Sequence, residues 1–140
     1  ISYTADNYTV KPSIDFSPSW CAFSYEGEFS FYNSKRQKMA KSSLFNWHQS
    51  VSATATISHV DLSFSLVHYH NELQESNHLN TLLGDASAVW RMKKLRLSAE
   101  LRNLFNKKNY METIYSGIST LTDSYHLRPR ELMISAQYSF

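Results

Sequence analysis

Three histidines are the first residues here whose spacing suggests chemistry: His68 and His70, two apart, and then His78. On a strand, positions i and i+2 share a face, so the pair can turn two imidazoles toward one transition-metal ion. Glu72 and Glu75 are near in sequence, but no cysteine and no fixed carboxylate completes a ligand set. A bare pair of histidines at a strand end is a weak signal, and no metal site is assigned to it. Serine, histidine and aspartate are frequent enough to write a triad on paper. The Gly-x-Ser-x-Gly elbow is absent, however, and a triad is defined by geometry rather than composition. No catalytic residue and no cofactor is assigned, and the chain is not read as an enzyme. The single cysteine, Cys21, excludes an internal disulfide framework and a multi-cysteine zinc site.

The 140 residues carry 14 Lys and Arg against 12 Asp and Glu, a balance that argues against nucleic acid as a partner. The length suits one domain or a piece of a larger one. Aromatic residues are abundant at 14%, while 3 glycines and 3 prolines are too few for linker or low-complexity character. No apolar run approaches the roughly 20 residues of a membrane-spanning helix, which excludes a helical membrane protein and leaves a β-barrel open. The chain begins at Ile1 with no charged-then-apolar leader, and is expected to be mature, trimmed or the tail of something longer.

The elements that must position these residues alternate with period two. Leu95, Leu97, Ala99 and Leu101 oppose Arg96, Ser98, Glu100 and Arg102. The same rhythm runs through Tyr8–Ser17, Cys21–Phe31, Phe45–Ile57, Leu62 onward, Leu82–Met92 and Leu132–Phe140. About seven antiparallel strands are predicted, several longer than usual, with no convincing amphipathic helix in competition. Pro12 weakens the first of them. Tight turns fall at Ser17–Ser19, His59–Asp61 and Met92–Lys94, and longer polar links at Asn33–Ser43, Leu73–Asn80 and Asn106–Tyr125. Short turns at one end and long loops at the other describe an all-β, up-and-down meander, with no internal domain boundary across 1–140.

Alternation does not say which face meets water. A soluble sandwich or small ligand-binding barrel turns its apolar face inward, and an outer-membrane barrel turns it out to lipid. Here the apolar faces mix alanines with aromatics: Ala53 and Ala55 beside Phe45 and Trp47, and Ala86 and Ala88 beside Trp90. A packed core prefers branched aliphatic residues, whereas a lipid-facing wall gathers aromatics at the headgroups. Trp20, Trp47, Trp90, Tyr138 and Phe140 all lie toward strand ends, which favours the membrane barrel over the soluble one. In that arrangement Glu26, Glu28, Arg91, Arg96, Glu100, Arg102 and Glu131, together with Lys11, face the lumen, chiefly pairing with one another. Lys35, Arg36, Lys38 and Lys41 form a basic loop that can meet an anionic surface or simply be solvated.

Two segments carry a family resemblance. Leu101-Arg102-Asn103-Leu104-Phe105-Asn106-Lys107-Lys108-Asn109-Tyr110 resembles the NLFNKKY signature near the penultimate strand of TonB-dependent outer-membrane receptors. Tyr125-His126-Leu127-Arg128-Pro129-Arg130 resembles the entry to their last strand, and the Leu-Arg-Pro-Arg variant is most similar to receptors of Bacteroidetes-type bacteria. The terminus Ala136-Gln137-Tyr138-Ser139-Phe140 resembles the aromatic assembly signal of outer-membrane proteins.

The resemblance implies the C-terminal part of a barrel of about 22 strands, since about seven cannot close one. It implies import of a scarce solute, such as a siderophore, cobalamin or an oligosaccharide, driven through the TonB system of the parent protein. The implied partners are outer-membrane lipid, the remaining barrel and its plug. The barrel-assembly machinery would read Tyr138 and Phe140, or hold the segment as a partial barrel. The implied location is the bacterial outer membrane with the C-terminus periplasmic, where Arg128 and Arg130 stand at the outer rim. Solute contacts are implied for the three long loops. A passive porin-like barrel and a soluble β-barrel or sandwich are the alternative readings.

Overall fold

A computed structural model describes residues 3–36, 42–72, 78–116 and 119–140. Lys38, Lys41 and Glu75 lie outside the described residues. Ten strands follow in order: β1 Tyr3–Val10, β2 Ser13–Phe16, β3 Cys21–Arg36, β4 Ser42–Ile57, β5 Val60–Glu72, β6 His78–Arg91, β7 Leu95–Arg102, β8 Asn109–Ser116, β9 Ser119–His126 and β10 Glu131–Tyr138. There is no helix among the described residues.

The main sheet is an antiparallel meander. β1 and β2 both pair with β3, and the path continues β3-β4-β5-β6-β7-β10. β8 and β9 pair only with each other as a separate hairpin. The expected first strand, Tyr8–Ser17, is thus two strands in line. Pro12 has no N–H to give the ladder, so pairing lapses there. Its carbonyl still accepts from Gly27 N at 2.8 Å. Val10 opposes Phe29 and Ser13 opposes Glu26, so no residue is inserted on either side of the break.

In the three expected loops the described residues are largely strand. β3 runs on to Arg36 and β4 begins at Ser42, both 16 residues long. β6 begins at His78, inside the link expected over Leu73–Asn80. The expected loop Asn106–Tyr125 holds β8 and part of β9. The last of these segments is rich in Tyr, Thr and Ile, which favour strands, but all three lack the strict alternation that marks one buried face. The turn expected at His59–Asp61 is Ser58–His59, because Val60 already pairs with Ile57.

Register sorts the side chains into two faces. Trp47, Val51, Ala53 and Ala55 of β4 oppose Phe29, Tyr25, Phe23 and Cys21 of β3 on one face. The same face continues through Leu62, Phe64 and Leu66 of β5 and Ala86, Ala88 and Trp90 of β6. It ends on Leu97, Ala99 and Leu101 of β7 and Leu132, Ile134 and Tyr138 of β10. The other face is lined by small hydroxyls that bond across strands: Ser24 to Ser52 at 2.7 Å, Ser63 to Ser87 at 2.7 Å and Ser98 to Ser135 at 2.6 Å.

Neither face is covered. Among the described residues no hydrophobic side chain is fully buried, and Ile134 is 75% and Leu132 63% exposed. The accessible surface is 10392 Å², against roughly 7,500 Å² for a compact monomer of this mass. The sheet is one layer thick.

Ser58 has φ 56° at the first position of its two-residue turn, whereas His59 has no positive φ. That is the pattern of a type II′ hairpin, in which glycine is preferred at this position. Ser58→Gly is expected to stabilise the sheet by about 0.5–1 kcal/mol, and Ser58→Val to destabilise it by at least about 1 kcal/mol. Urea titration of the detergent-folded chain, followed by tryptophan emission, checks both.

Candidate functional site

Where β7 ends, the backbone turns sharply through Asn103 and Asn106, whose φ values are 52° and 50°. Asparagine tolerates this left-handed conformation better than other side chains. Asn103 then serves as a junction. Its N–H donates to Asp85 Oδ1 at 2.8 Å, its Oδ1 accepts from Lys107 N at 2.8 Å, and its Nδ2 donates to Lys107 O at 2.7 Å and to Arg128 O at 2.8 Å. Leu104 N donates to Gly84 O at 2.8 Å, and Arg130 N donates to Asn106 Oδ1 at 3.0 Å. Leu127 N reaches Lys108 O at 2.8 Å. The segments Leu101–Tyr110 and Tyr125–Arg130 therefore meet in one structural knot tying β6, β7 and the approach to β10. Pro129 sits between the two tied residues and is exposed.

Gly84 completes the knot. A Cβ there would lie 3.0 Å from Phe105 Cε2 and 3.3 Å from both Leu104 Cδ1 and Ser65 O. Phe105 and Leu104 close over the strand at this point because residue 84 has no side chain.

The charged candidates share the polar face but do not converge. Lys11 Nζ meets Glu28 Oε2 at 3.1 Å beside Glu26, at the β2–β3 side. Arg91 pairs with Asp61, which also accepts from Thr56 Oγ1 at 2.9 Å, near the two-residue turns. Arg96 stands opposite Arg91 in the register. Arg102 Nε donates to Glu100 Oε1 at 2.7 Å, and Glu131 stands opposite Arg102. These are exposed pairs spread over the sheet rather than one binding centre, each contributing little to stability. The histidines gather around Trp47, with His68 at 5.9 Å and His70 at 5.1 Å, but no three metal-ligating side chains group together among the described residues. His70 Nδ1 lies 2.7 Å from Asn80 Oδ1 and its ring stacks on His78 at 5.8 Å. Glu72 is engaged elsewhere, Oε2 accepting from Phe45 N at 2.8 Å while Glu72 N donates to Asn46 Oδ1 at 2.9 Å.

Two aromatic groupings gather at the end of the sheet opposite the two-residue turns. On the apolar face Trp47 touches Phe45 at 5.5 Å, Phe29 at 6.3 Å and His70 at 5.1 Å, and Phe31 lies 4.6 Å from Phe45. On the polar face His48 stacks flat on Tyr69, with centroids 4.5 Å apart and planes 5° apart. Tyr69 meets Tyr110 of the hairpin at 4.9 Å, and Tyr110 stacks on Tyr125 at 6.0 Å. Beside this row, Glu28, Asn46, Asn71, His48, Tyr69 and Tyr110 line a recess of about 170 Å³.

Comparison of the chain with protein-family models, curated proteins and solved structures gives no match.

The polar-face aromatic row is the feature that sequence reasoning missed. Its signal is a phase inversion: in β5 the apolar positions 62, 64 and 66 are followed in phase by His68 and His70, while Tyr69 takes the polar side. The hairpin that brings Tyr110 to Tyr69 carries no such periodic mark.

Replacing Asn103 with alanine removes the partners of three backbone groups at once. Asn103→Ala is expected to cost about 1–3 kcal/mol, with Asn103→Asp intermediate, since a carboxylate still accepts from Lys107 N but donates nothing. Hydrogen exchange should lose protection at Lys107, Leu127 and Arg130 and keep it along β3–β5. Uniform loss across the sheet would contradict a local knot.

Proposed function

We propose that this chain is the C-terminal barrel-wall segment of a TonB-dependent outer-membrane transporter that imports a scarce solute. The observation that carries the reading is the height of the apolar face between Trp90, at the two-residue turns, and the Trp47 cluster at the other end. Ile57 pairs with Val60, and Val60 with Trp90, in the row that begins at the two-residue turns. Trp47 stands ten positions (57 minus 47) further along β4. At about 3.4 Å per residue this is about 34 Å of strand, or about 25 Å of height at a tilt near 40–45°, the apolar band of an outer-membrane barrel. Between these two ends the face carries alanine, leucine, Val51 and Ile134 with Phe23, Tyr25 and Phe64, and a shallow groove runs over Ala53 and Ala55 between Phe23 and Phe64. Such a groove fits an acyl chain.

Strand parity supports the larger barrel. With β1 and β2 end to end, the main sheet has seven ranks, each antiparallel to the next. The first and last ranks therefore run the same way, and closing the sheet on itself would need a parallel seam unlike its other pairings. Left open in lipid, each unpaired N–H and C=O along the edges costs several kcal/mol. The rest of a barrel with its plug, or the assembly machinery at the β10 edge, supplies those partners in this proposal. Tyr138 and Phe140 lie edge to face at 5.3 Å at the two-residue-turn end, which is periplasmic in this orientation. Arg128 and Arg130 then fall at the outer rim. The role requires no bond-making chemistry of the chain.

Reconstitution into phosphatidylcholine vesicles brominated either near the headgroup or deep in the acyl chains tests the placement. Trp47 and Trp90 emission should be quenched more by the shallow bromines. No quenching by either, together with a monodisperse monomer in plain buffer, overturns the membrane reading. A paired substitution tests which face meets lipid. Ala86→Arg, on the apolar face, is expected to cost about 2–4 kcal/mol of stability in micelles, and Ser87→Arg, its neighbour on the polar face, under about 1 kcal/mol.

A further inference from the structure

The sequence offers His68 and His70 as a pair and leaves His78 in a link. The fold moves His78 to the first position of β6, on the same face as His70. His70 opposes Asn80 and Glu72 opposes His78, so the two histidines are diagonal neighbours across the ladder. Their ring centres lie 5.8 Å apart, with planes 22° from parallel. Two imidazoles that share one metal at about 2.0–2.1 Å per nitrogen hold their ring centres between about 4.5 Å, at a right angle, and about 6.4 Å, in a straight line. The observed separation falls inside that range with the backbone left where it is. We infer that His70 and His78 hold one divalent cation of the Cu²⁺, Ni²⁺ or Zn²⁺ class, as a clip between β5 and β6. The inference stands apart from the transporter reading, because it needs only this pair of strands.

Asn80 prepares one of the ligands. Its Oδ1 lies 2.7 Å from His70 Nδ1. An amide oxygen only accepts, so Nδ1 carries the proton and Nε2 keeps the lone pair that a metal needs. Metal-bound histidines commonly hold such an acceptor on their other nitrogen, which fixes both tautomer and ring direction. His70 Nε2 and the His78 ring make no hydrogen bond among the described residues. The described residues supply two nitrogens rather than three ligands, and water completes the shell. Copper heads the affinity order for such nitrogen ligands. Half a ligand set implies a dissociation constant of about 1–100 µM, far weaker than a closed four-ligand site. Mg²⁺ prefers oxygen and gains nothing from two imidazoles.

Trp47 reports on the site, since its ring lies 5.1 Å from His70, whereas Trp20 and Trp90 stand at the two-residue-turn end. The test is calorimetric titration of the whole, untagged chain in detergent micelles with CuCl₂, NiCl₂ and ZnCl₂, and MgCl₂ as the control, with tryptophan emission followed in parallel. One Cu²⁺ per chain is expected, quenching one tryptophan of the three, and Trp47→Phe should abolish that quenching without changing the heat. His70→Ala and His78→Ala should each weaken Cu²⁺ binding at least about tenfold, and His68→Ala less than about threefold. His78 is exposed, so its variant decides the matter if His70→Ala does not fold. Asn80→Leu should weaken binding about tenfold, and Asn80→Asp, which still accepts from Nδ1, should restore it. Zn²⁺ should raise hydrogen-exchange protection at Asn71 and Leu79, and a chelator should reverse the gain. No binding of any of the three ions at about 1 mM, equal binding of Mg²⁺, or unchanged Cu²⁺ affinity in folded His78→Ala overturns the site. Loss of binding in His68→Ala but not in His78→Ala overturns it too, by assigning the ion to the neighbours on β5.

Discussion

A sheet one layer thick must find a surface for each of its faces. Lateral hydrogen bonding satisfies the backbone of every interior strand, but it does nothing for side chains that point up or down from the plane. Here one face is aliphatic and aromatic, the other hydroxylated and charged, and beyond Leu104 and Phe105 over Gly84 and Tyr110 against Tyr69 the described chain covers little of either. Burial of apolar area, the dominant stabilising term of folded proteins, is therefore left to something outside the described fold. The long strands and the sorting of apolar and polar side chains onto opposite faces both answer to that constraint.

The polar face answers it differently. Serine hydroxyls paired across strands satisfy one another at short range, so the surface stays wettable without demanding a fixed partner. The charges along it are neutralised locally, Lys11 by Glu28, Arg91 by Asp61 and Arg102 by Glu100. Where β7 stops, after eight residues against the sixteen of β3, the sheet no longer has a neighbour to hold it. The Asn103 junction takes over there, using one amide side chain to hold backbone from Lys107 and Arg128 while its own N–H holds Asp85. The hairpin of β8 and β9 grows from that junction, which is how Tyr110 comes to meet Tyr69.

Much of this architecture is legible in the sequence. Period-two alternation through Leu95–Arg102 or Cys21–Phe31 identifies strand and face together, because a strand offers only two sides. Pro12 announces the break between β1 and β2. The ends are less legible: Asn33–Arg36 and His78–Asn80 look like polar link because cross-strand pairing, rather than residue preference, extends them. The hairpin β8–β9 looks like loop because its Tyr-, Thr- and Ile-rich sequence lacks strict alternation. Of the candidate residues, Asn103, Asn106, Arg128 and Arg130 were picked out as motif, but their contact with one another was not visible.

By itself, the sequence determined that the chain is all-β, that its main sheet is an antiparallel meander, and which residues share a face. These are consequences of local alternation and short connections, which act over a few residues. Only the tertiary structure decided which positions meet across strands: His48 upon Tyr69, Tyr69 against Tyr110, Leu104 and Phe105 over Gly84, and Asn103 between Lys107 and Arg128. Those contacts depend on register and on where a hairpin lands. Register is a collective property of every pair in a ladder, and no single strand carries it.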